Sequence, residues 1–209
     1  MTMQILGIAG PSGAGKTFLA QALLKAGLGA TSARLSLDHY YFDRSHLTLS
    51  ERASINYDEP DALDHQLLIS HLAQLRLGKT IMRPSYDFDT HSRLAEGKLI
   101  APVELLIVEG LFILHWQELR KYLTISVFVE TPDPLCLHRR LVRDTRDRGR
   151  SQDAVLQQYH ATVRLMAERY VLPTRCYADL IIRGNAPMAE SVESIRMHLT
   201  AMTESEESA

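Results

Sequence analysis

Cysteine is scarce in these 209 residues: Cys136 and Cys176 stand far apart, with no CxxC spacing and no companion ligands. That excludes a disulfide scaffold and a thiolate metal centre, and it reads as two reduced thiols of a cytoplasmic protein. Long apolar runs are also missing. "LLIV" at 105–108 and "LFIL" at 111–114 stop far short of the ~18 residues that a membrane span requires. The opening "MTMQILGIAG" has no basic segment and runs straight into glycine, so no signal peptide is expected. Neither sign of charge dominates: 23 Lys and Arg face 25 Asp and Glu, for a net charge of −2. Without a cationic surplus to displace counterions, general nucleic-acid binding is excluded. No repeat and no Gly/Ser-rich or Pro-rich linker divides the chain, so one domain over 1–203 is expected, followed by a frayed acidic end at 204–209. Hydrophobic residues make up 45% of the chain, enough for a full core in a soluble domain.

What is present alternates between strand and helix patterns. "QILGIA" (4–9) reads as a buried strand, "KTFLAQALLKAG" as a helix stopped by Gly27, and "ARLSLD" (33–38) as a second strand. Residues 63–78 show helical spacing up to Gly78. The stretch 80–102 reads as two short strands with a polar connection, and its Pro84 is disfavoured in a central ladder. "ELLIVEG" and "TISVFVE" are strand-like, each followed by helical sequence. Two helices, "DPLCLHRRLVRD" and "QDAVLQQYHATVRLMAERY", a last strand "ADLIIRG" and a closing helix complete the chain. The pattern predicts an α/β fold with a mainly parallel sheet covered by helices on both faces, plus a small β-hairpin. Ligands of such sheets collect at the carboxyl ends of strands, which selects Gly10–Thr17, Asp38 and Glu109.

"GPSGAGKT", Gly10, Pro11, Ser12, Gly13, Ala14, Gly15, Lys16 and Thr17, fits GxxxxGK[ST] between an apolar strand and a helix. Its glycines let successive N–H groups wrap an anion at a helix N-terminus. Lys16 is expected to bridge the outer two phosphates of a nucleoside triphosphate, and Thr17 to ligate Mg²⁺. By itself the motif serves a kinase, a GTPase switch or a motor ATPase equally. Glu109, an acid at the end of an apolar strand, is the expected second Mg²⁺ contact. Asp38 stands where a carboxylate could accept the proton of an attacking hydroxyl, which only a kinase needs. The stretch "RRLVRDTRDRGR" (139–150) gathers six arginines against Asp144 and Asp147. Its composition suits a solvated helix face, and Gly149 suits the break of a mobile lid over phosphates.

These stretches, with "LDHYYFDRSHLTLSERASINYDEPDALD", "RPSYDFDTHSR", "LLIVEGLFIL", "QQYHATVR" and "RYVLPTRCYADLII", run in order from about residue 5 to 183 and resemble the uridine kinase family, within the phosphoribulokinase and uridine kinase group. The resemblance implies a P-loop kinase with an Arg-rich lid that passes the γ-phosphate of ATP, or GTP, to the 5′-hydroxyl of uridine and cytidine, with Mg²⁺. It implies Asp38 as general base with Tyr41 beside it, and Asp58 on the ribose hydroxyls. Tyr86, Phe88 and His91 would form the base pocket; Arg140, Arg150 and Gln158 would complete the acceptor contacts, and Arg143 and Arg148 would act near the phosphates with Lys16. It also suggests a homotetramer and feedback inhibition by CTP or UTP. A related small-molecule kinase, of phosphoribulokinase or pantothenate kinase type, is the alternative, and "YDFDTHSR" argues against it. A nucleotide-dependent switch ranks lower, because no NKxD guanine-reading motif is present.

Three departures stand out. His39 replaces a small serine beside Asp38, Phe18 replaces the threonine that commonly follows "GKT", and "RGNAPM" (183–188) takes the place of the turn that usually meets the adenine. No adenine contact is therefore assigned. The remaining histidines, among them His46, His65, His71 and His160, show no metal-ligand spacing.

Overall fold

Five strands form one parallel sheet in the order β2-β5-β1-β6-β7, where β1 is Gln4–Ala9, β2 Ser32–Ser36, β5 Leu105–Glu109, β6 Ile125–Glu130 and β7 Leu180–Arg183. This computed structural model describes residues 3–207. Central strands are apolar at nearly every position because both faces are covered. Alternate residues divide between two cores: Ile5, Ala9, Leu106, Val108 and Phe128 face one layer, and Leu6, Ile8, Ile107, Val127 and Val129 the other. Helices α1 (Lys16–Lys25) and α8 (Met188–Glu207) cover the second layer with Leu19, Leu23, Ile195 and Leu199. Helix α3 (His65–Arg76) and the buried Phe112, Ile113 and Leu114 cover the first. Truncating such a fully buried aliphatic side chain to alanine costs about 2–5 kcal/mol. Gly27 and Gly78 adopt positive φ just beyond α1 and α3, as helix stops do.

Ladder register brings the functional ends level. Glu109 pairs with Ile8 of β1 on one side and with Ser36 of β2 on the other, so the glycine loop, Glu109 and the residues after Ser36 leave the sheet at one edge.

Several elements differ from expectation. β2 ends at Ser36, and Asp38 lies instead in a 3₁₀ turn, Leu37–Tyr40. After β5 the apolar run forms a buried turn, and the helix beyond it, α4, is only Gln117–Arg120. The hairpin strands β3 (Ile81–Asp87) and β4 (Ser92–Ile100) are longer than "short strands" implies. Their register shifts between Arg83 and Ser85, at Pro84, where a residue without an N–H leaves the ladder. The pair is a separate two-stranded sheet.

Helix α5 is Asp133–Asp147 and α6 Gln152–Gln158. The segment expected as one helix after Ser151 is interrupted by π-helical turns at Tyr159–Val163 and Ala167–Val171 around the short α7, Arg164–Met166. Helix α8 carries the backbone of 204–207, part of the acidic end expected to fray, while 208 and 209 lie outside the described residues. Among the described residues, no helix is long and apolar enough to cross a membrane.

Candidate active site

The glycine loop is shaped by positions that reject a side chain. Gly10, Gly13 and Gly15 all have positive φ. A Cβ on Gly10 would lie 2.6 Å from the Val129 carbonyl oxygen, and one on Gly13 2.3 Å from that of Cys136. Gly15 sits at the N-cap of α1 without a side-chain cap, leaving the first-turn N–H groups facing the loop. Lys16 folds across it, donating from Nζ to the Pro11 carbonyl at 2.9 Å. Its ammonium is buried, and desolvation lowers its pKa against the opposing pull of Glu109 and Asp38.

Glu109 is 3% exposed. The Thr17 hydroxyl donates to its Oε1 at 3.3 Å, and Arg34 Nη1 lies 3.5 Å from the same oxygen. Burial raises the Glu109 pKa, as does the nearby Asp38 carboxylate, while Lys16 and Arg34 oppose the rise. A hydroxyl and a carboxylate at the mouth of a phosphate loop are hard oxygen donors. That set fits Mg²⁺, which is held by one or two protein oxygens with the rest from phosphates and water. Among the described residues no cluster of three or more His, Cys, Asp or Glu is placed to hold a metal ion.

Asp38 is half-buried in its turn, and the turn is tied down on every side. Tyr40 bonds to His71 Nδ1 at 3.0 Å, Tyr41 bridges Leu63, and Asp64 donates its N–H to the Tyr40 carbonyl. From the hairpin, Arg93 donates to the carbonyls of Tyr41 at 2.7 Å and Tyr40 at 3.3 Å, and pairs with Asp64 at 3.1 Å. Arg93 therefore fixes the β3–β4 hairpin to the segment that carries Asp38. Helix α2, Leu49–Ala53, is set by a Thr48/Glu51 capping box and sends Arg52 to the Thr90 carbonyl at the hairpin tip.

Between these pieces lies a cavity of about 120 Å³ that brings together residues expected on the acceptor side from across the chain: Asp38, Tyr41, Asp58, Tyr86, Phe88, His91, Arg140, Arg143, Arg148, Arg150 and Gln158. Ser12 of the glycine loop joins them. So do Tyr57 and Leu111, which sequence reasoning missed; Tyr57 stands beside Asp58 in "NYDEPD", where only that neighbour hinted at it. Tyr57 stacks on His91 with centroids 4.4 Å apart and planes 11° from parallel. Tyr41 meets Tyr57 edge to face and Tyr86 at 5.2 Å, and Tyr86 meets Phe88 at 5.4 Å. The hydroxyls of Tyr57 and Tyr86 face each other, and neither bonds to any other group of the protein. His91 has φ of +50°, an uncommon conformation for a residue with a Cβ. Burial and then Arg150 and Arg148 hold its pKa below the ordinary value, so the imidazole is neutral at pH 7.

Asp58 is almost wholly buried and accepts from Thr162 at 3.2 Å. Burial raises its pKa in spite of Arg140. Arg140, 5% exposed, donates to Ser12 Oγ and Gln158 Oε1, both at 3.0 Å, and Arg150 donates to the same Gln158 oxygen at 2.6 Å. Gln158 ends α6 at the first π-helical turn, and such turns are frequent where a helix must re-aim side chains into a site. The arginine stretch divides as its two aspartates do. Asp147 is exposed with Arg146, as a solvated face has it, whereas Asp144 is completely buried among the arginines that line the cavity.

On the far side of the loop a second cavity, about 320 Å³, is lined by Gly15, Phe18, Arg139, Ile182, Gly184 and Met188, among others. Phe18 and the "RGNAPM" turn, left without a role in the sequence, both face it. Arg139 spans its wall, donating to the carbonyls of Ala14 at 3.2 Å and Gly184 at 2.9 Å.

The family model described as phosphoribulokinase / uridine kinase matches residues 5–188. The chain belongs to this family. A uridine kinase of Aeromonas hydrophila is 41% identical over 202 residues, 95% of this chain and 94% of that protein. A uridine kinase of Staphylococcus epidermidis is 44% identical over 178 residues, covering 85% and 86% of the two chains. Among solved structures, the phosphoribulokinase of Rhodobacter spheroides superposes with a TM-score of 0.57 at 14% identity, over 90% of this chain and 74% of that one, a likeness of fold. Membership of the phosphoribulokinase / uridine kinase family makes the sheet with its glycine loop a kinase scaffold.

Proposed function

We propose that this chain is a pyrimidine ribonucleoside kinase, transferring the γ-phosphate of ATP to the 5′-hydroxyl of uridine or cytidine. The observation that carries this reading is the aromatic and carboxylate cavity that opens beside Ser12 of the glycine loop and holds Asp38 at its edge. The uridine kinase relatives support it over nearly the full chain.

In this reading the loop N–H groups and Lys16 hold the triphosphate, and the nucleotide base occupies the cavity beside Phe18, Arg139 and Gly184. Thr17 and Glu109 would hold Mg²⁺, whose charge offsets that of the phosphates. Asp58 and Arg140 bind the ribose hydroxyls, and the pyrimidine lies among Tyr57, Tyr86, Phe88 and His91. There the His91 ring and the facing hydroxyls of Tyr57 and Tyr86 read its polar edge. Asp38 accepts the 5′-hydroxyl proton as the oxygen attacks the γ-phosphorus, and ADP leaves in line. Arg143 and Arg148 meet the charge that spreads over the transferring group.

Incubation of the pure protein with ATP, Mg²⁺ and uridine or cytidine is expected to give the nucleoside monophosphate and ADP in equal amounts. GTP is compared as donor in the same assay. Absence of product from both nucleosides, with product from a sugar phosphate or pantothenate instead, would transfer the chain to another branch of its family.

A further inference from the structure

Asp144 has no exposed surface, although it lies in the most arginine-rich stretch of the chain. Four guanidinium groups converge on its two oxygens. Arg143 Nη2 is 2.8 Å and Arg148 Nη1 3.8 Å from Oδ1, and Arg140 Nε is 3.4 Å and Arg150 Nη1 3.7 Å from Oδ2. All four arginines line the acceptor cavity, whereas the carboxylate that collects them does not. The chain turns back to allow this: Gly149 has positive φ with open space around it, and the Arg150 N–H donates to the Asp144 carbonyl. The same residue thus anchors both the backbone of the turn and the side chains around it.

The contacts are uneven. Arg143 makes a true hydrogen bond to Oδ1, while Oδ2 and the Arg140 Nε make none. The other three heads meet Asp144 by charge at ion-pair distance and take their hydrogen bonds or ring contacts elsewhere: Arg140 and Arg150 on Gln158, Arg140 also on Ser12, and Arg148 over the Phe88 ring. Asp147, three residues on, is the natural contrast: 47% exposed, its ion pair is with Arg146. An arginine left alone on an open helix face samples many rotamers. One held over the cavity has that freedom removed before any substrate arrives.

We propose that Asp144 is the positioning residue of the arginine cluster, its buried carboxylate holding Arg140, Arg143, Arg148 and Arg150 over the cavity. Of the four, Arg143 and Arg148 meet the transferring phosphoryl group, and they then stand in place before its charge develops. The inference rests on the kinase reading above. Preset charge of this kind lowers the barrier of the chemical step and costs no reorganisation when the step occurs, so the effect of Asp144 falls on kcat more than on nucleoside binding.

The test uses the full chain and the variants Asp144→Asn, Asp144→Glu and Asp147→Asn. Steady-state kinetics with ATP and uridine are measured beside calorimetric titration with uridine, which counts functional sites per chain. In Asp144→Asn, kcat is expected to fall about tenfold or more, with uridine affinity within about threefold of wild type and the number of sites unchanged. Asp144→Glu keeps the charge but moves it by one methylene, and is expected to lose kcat as well. Asp147→Asn, the same change of charge on the exposed side of the helix, should stay within about twofold of wild type. The inference is overturned if Asp144→Asn retains kcat within about threefold, if its sites or affinity are lost in proportion to kcat, or if Asp147→Asn is equally impaired. Should Asp144→Asn not fold, Asp144→Glu is held to the same threefold limit. Wild-type turnover is read first: no monophosphate from uridine or cytidine sinks the nucleoside-kinase reading, whereas product together with an unimpaired Asp144→Asn sinks only the role of Asp144.

Discussion

The glycine loop and the acceptor cavity share Ser12 as a border, yet they are assembled in opposite ways. The loop comes from one unbroken stretch, Gly10–Thr17, and its working surface is backbone: N–H groups, reversed φ angles and a helix end. The cavity is drawn from the turn after β2, the segment before α3, the β3–β4 hairpin, α5 and α6, and its working surface is side chain. Anchoring phosphate needs only a concave run of donors, and backbone supplies that at fixed spacing. Choosing one hydroxyl-bearing guest among many needs distinct shapes and charges, which only side chains supply. It follows that the loop should be sensitive to an added Cβ and the cavity to an altered functional group.

The sharpest separation is expected at Asp38. Asp38→Asn should lower kcat by about 10²–10⁴-fold while leaving ATP affinity within about threefold, read by single-turnover kinetics and calorimetry. Unchanged turnover would remove Asp38 from the chemistry. In the loop, Gly13→Ala forces a side chain into a φ of +81° and within 2.3 Å of the Cys136 carbonyl. ATP affinity should drop by about 10–100-fold with uridine binding nearly intact. An equal loss of both would show the two regions to be one cooperative unit and break the contrast.

Asp58→Asn sharpens it in energy terms. Burial holds the folded pKa of Asp58 above its ordinary value of 3.8, so the folded state holds this proton more tightly than the unfolded chain does. Stability from this group grows as pH falls through the raised pKa, and at neutral pH the charged form is a net cost. The neutral amide should therefore raise the uridine KM about tenfold while the Tm of the free protein holds or rises. A fall of several degrees would make Asp58 a structural residue.

The smallest effect concerns His39. Burial, then Arg83, hold its pKa at about 4 against an ordinary 6.5. The unfolded chain takes up the proton first, so the folded state loses stability as pH falls from about 6.5 toward 4. His39→Ser should match wild type in Tm near pH 7 and exceed it by a few degrees near pH 5. Parallel melting curves at both pH values would leave His39 without influence on the turn that carries Asp38.

Legibility in the sequence followed the same division. "GPSGAGKT" is readable because backbone function is written in contiguous spacing, and the strand and helix on either side lie where the apolar pattern puts them. Burial of charge was not readable. Asp144 and Asp147 stand in the same arginine-rich surroundings in sequence, yet Asp144 is enclosed by Arg140, Arg143, Arg148 and Arg150 while Asp147 lies in water. The π-helical turns were hidden because each inserts its extra residue without a glycine or proline to announce it. "LFIL" was misread because a buried turn and a helix both favour such residues. Phe18 was given no role because its neighbours across the second cavity, Arg139 and Gly184, are remote in sequence.

One feature of the hairpin reaches beyond this chain. β3 and β4 are bonded to each other and, among the described residues, form no ladder with the main sheet; Arg93 and Arg52 fasten them to the body by side chain. Tyr86, Phe88 and His91 therefore ride on a separate hairpin that is seated in the first core through the buried Ile81 and Tyr86. A lineage could exchange one guest for another by rewriting that hairpin together with Tyr57 stacked against it, while the glycine loop is inherited without a change.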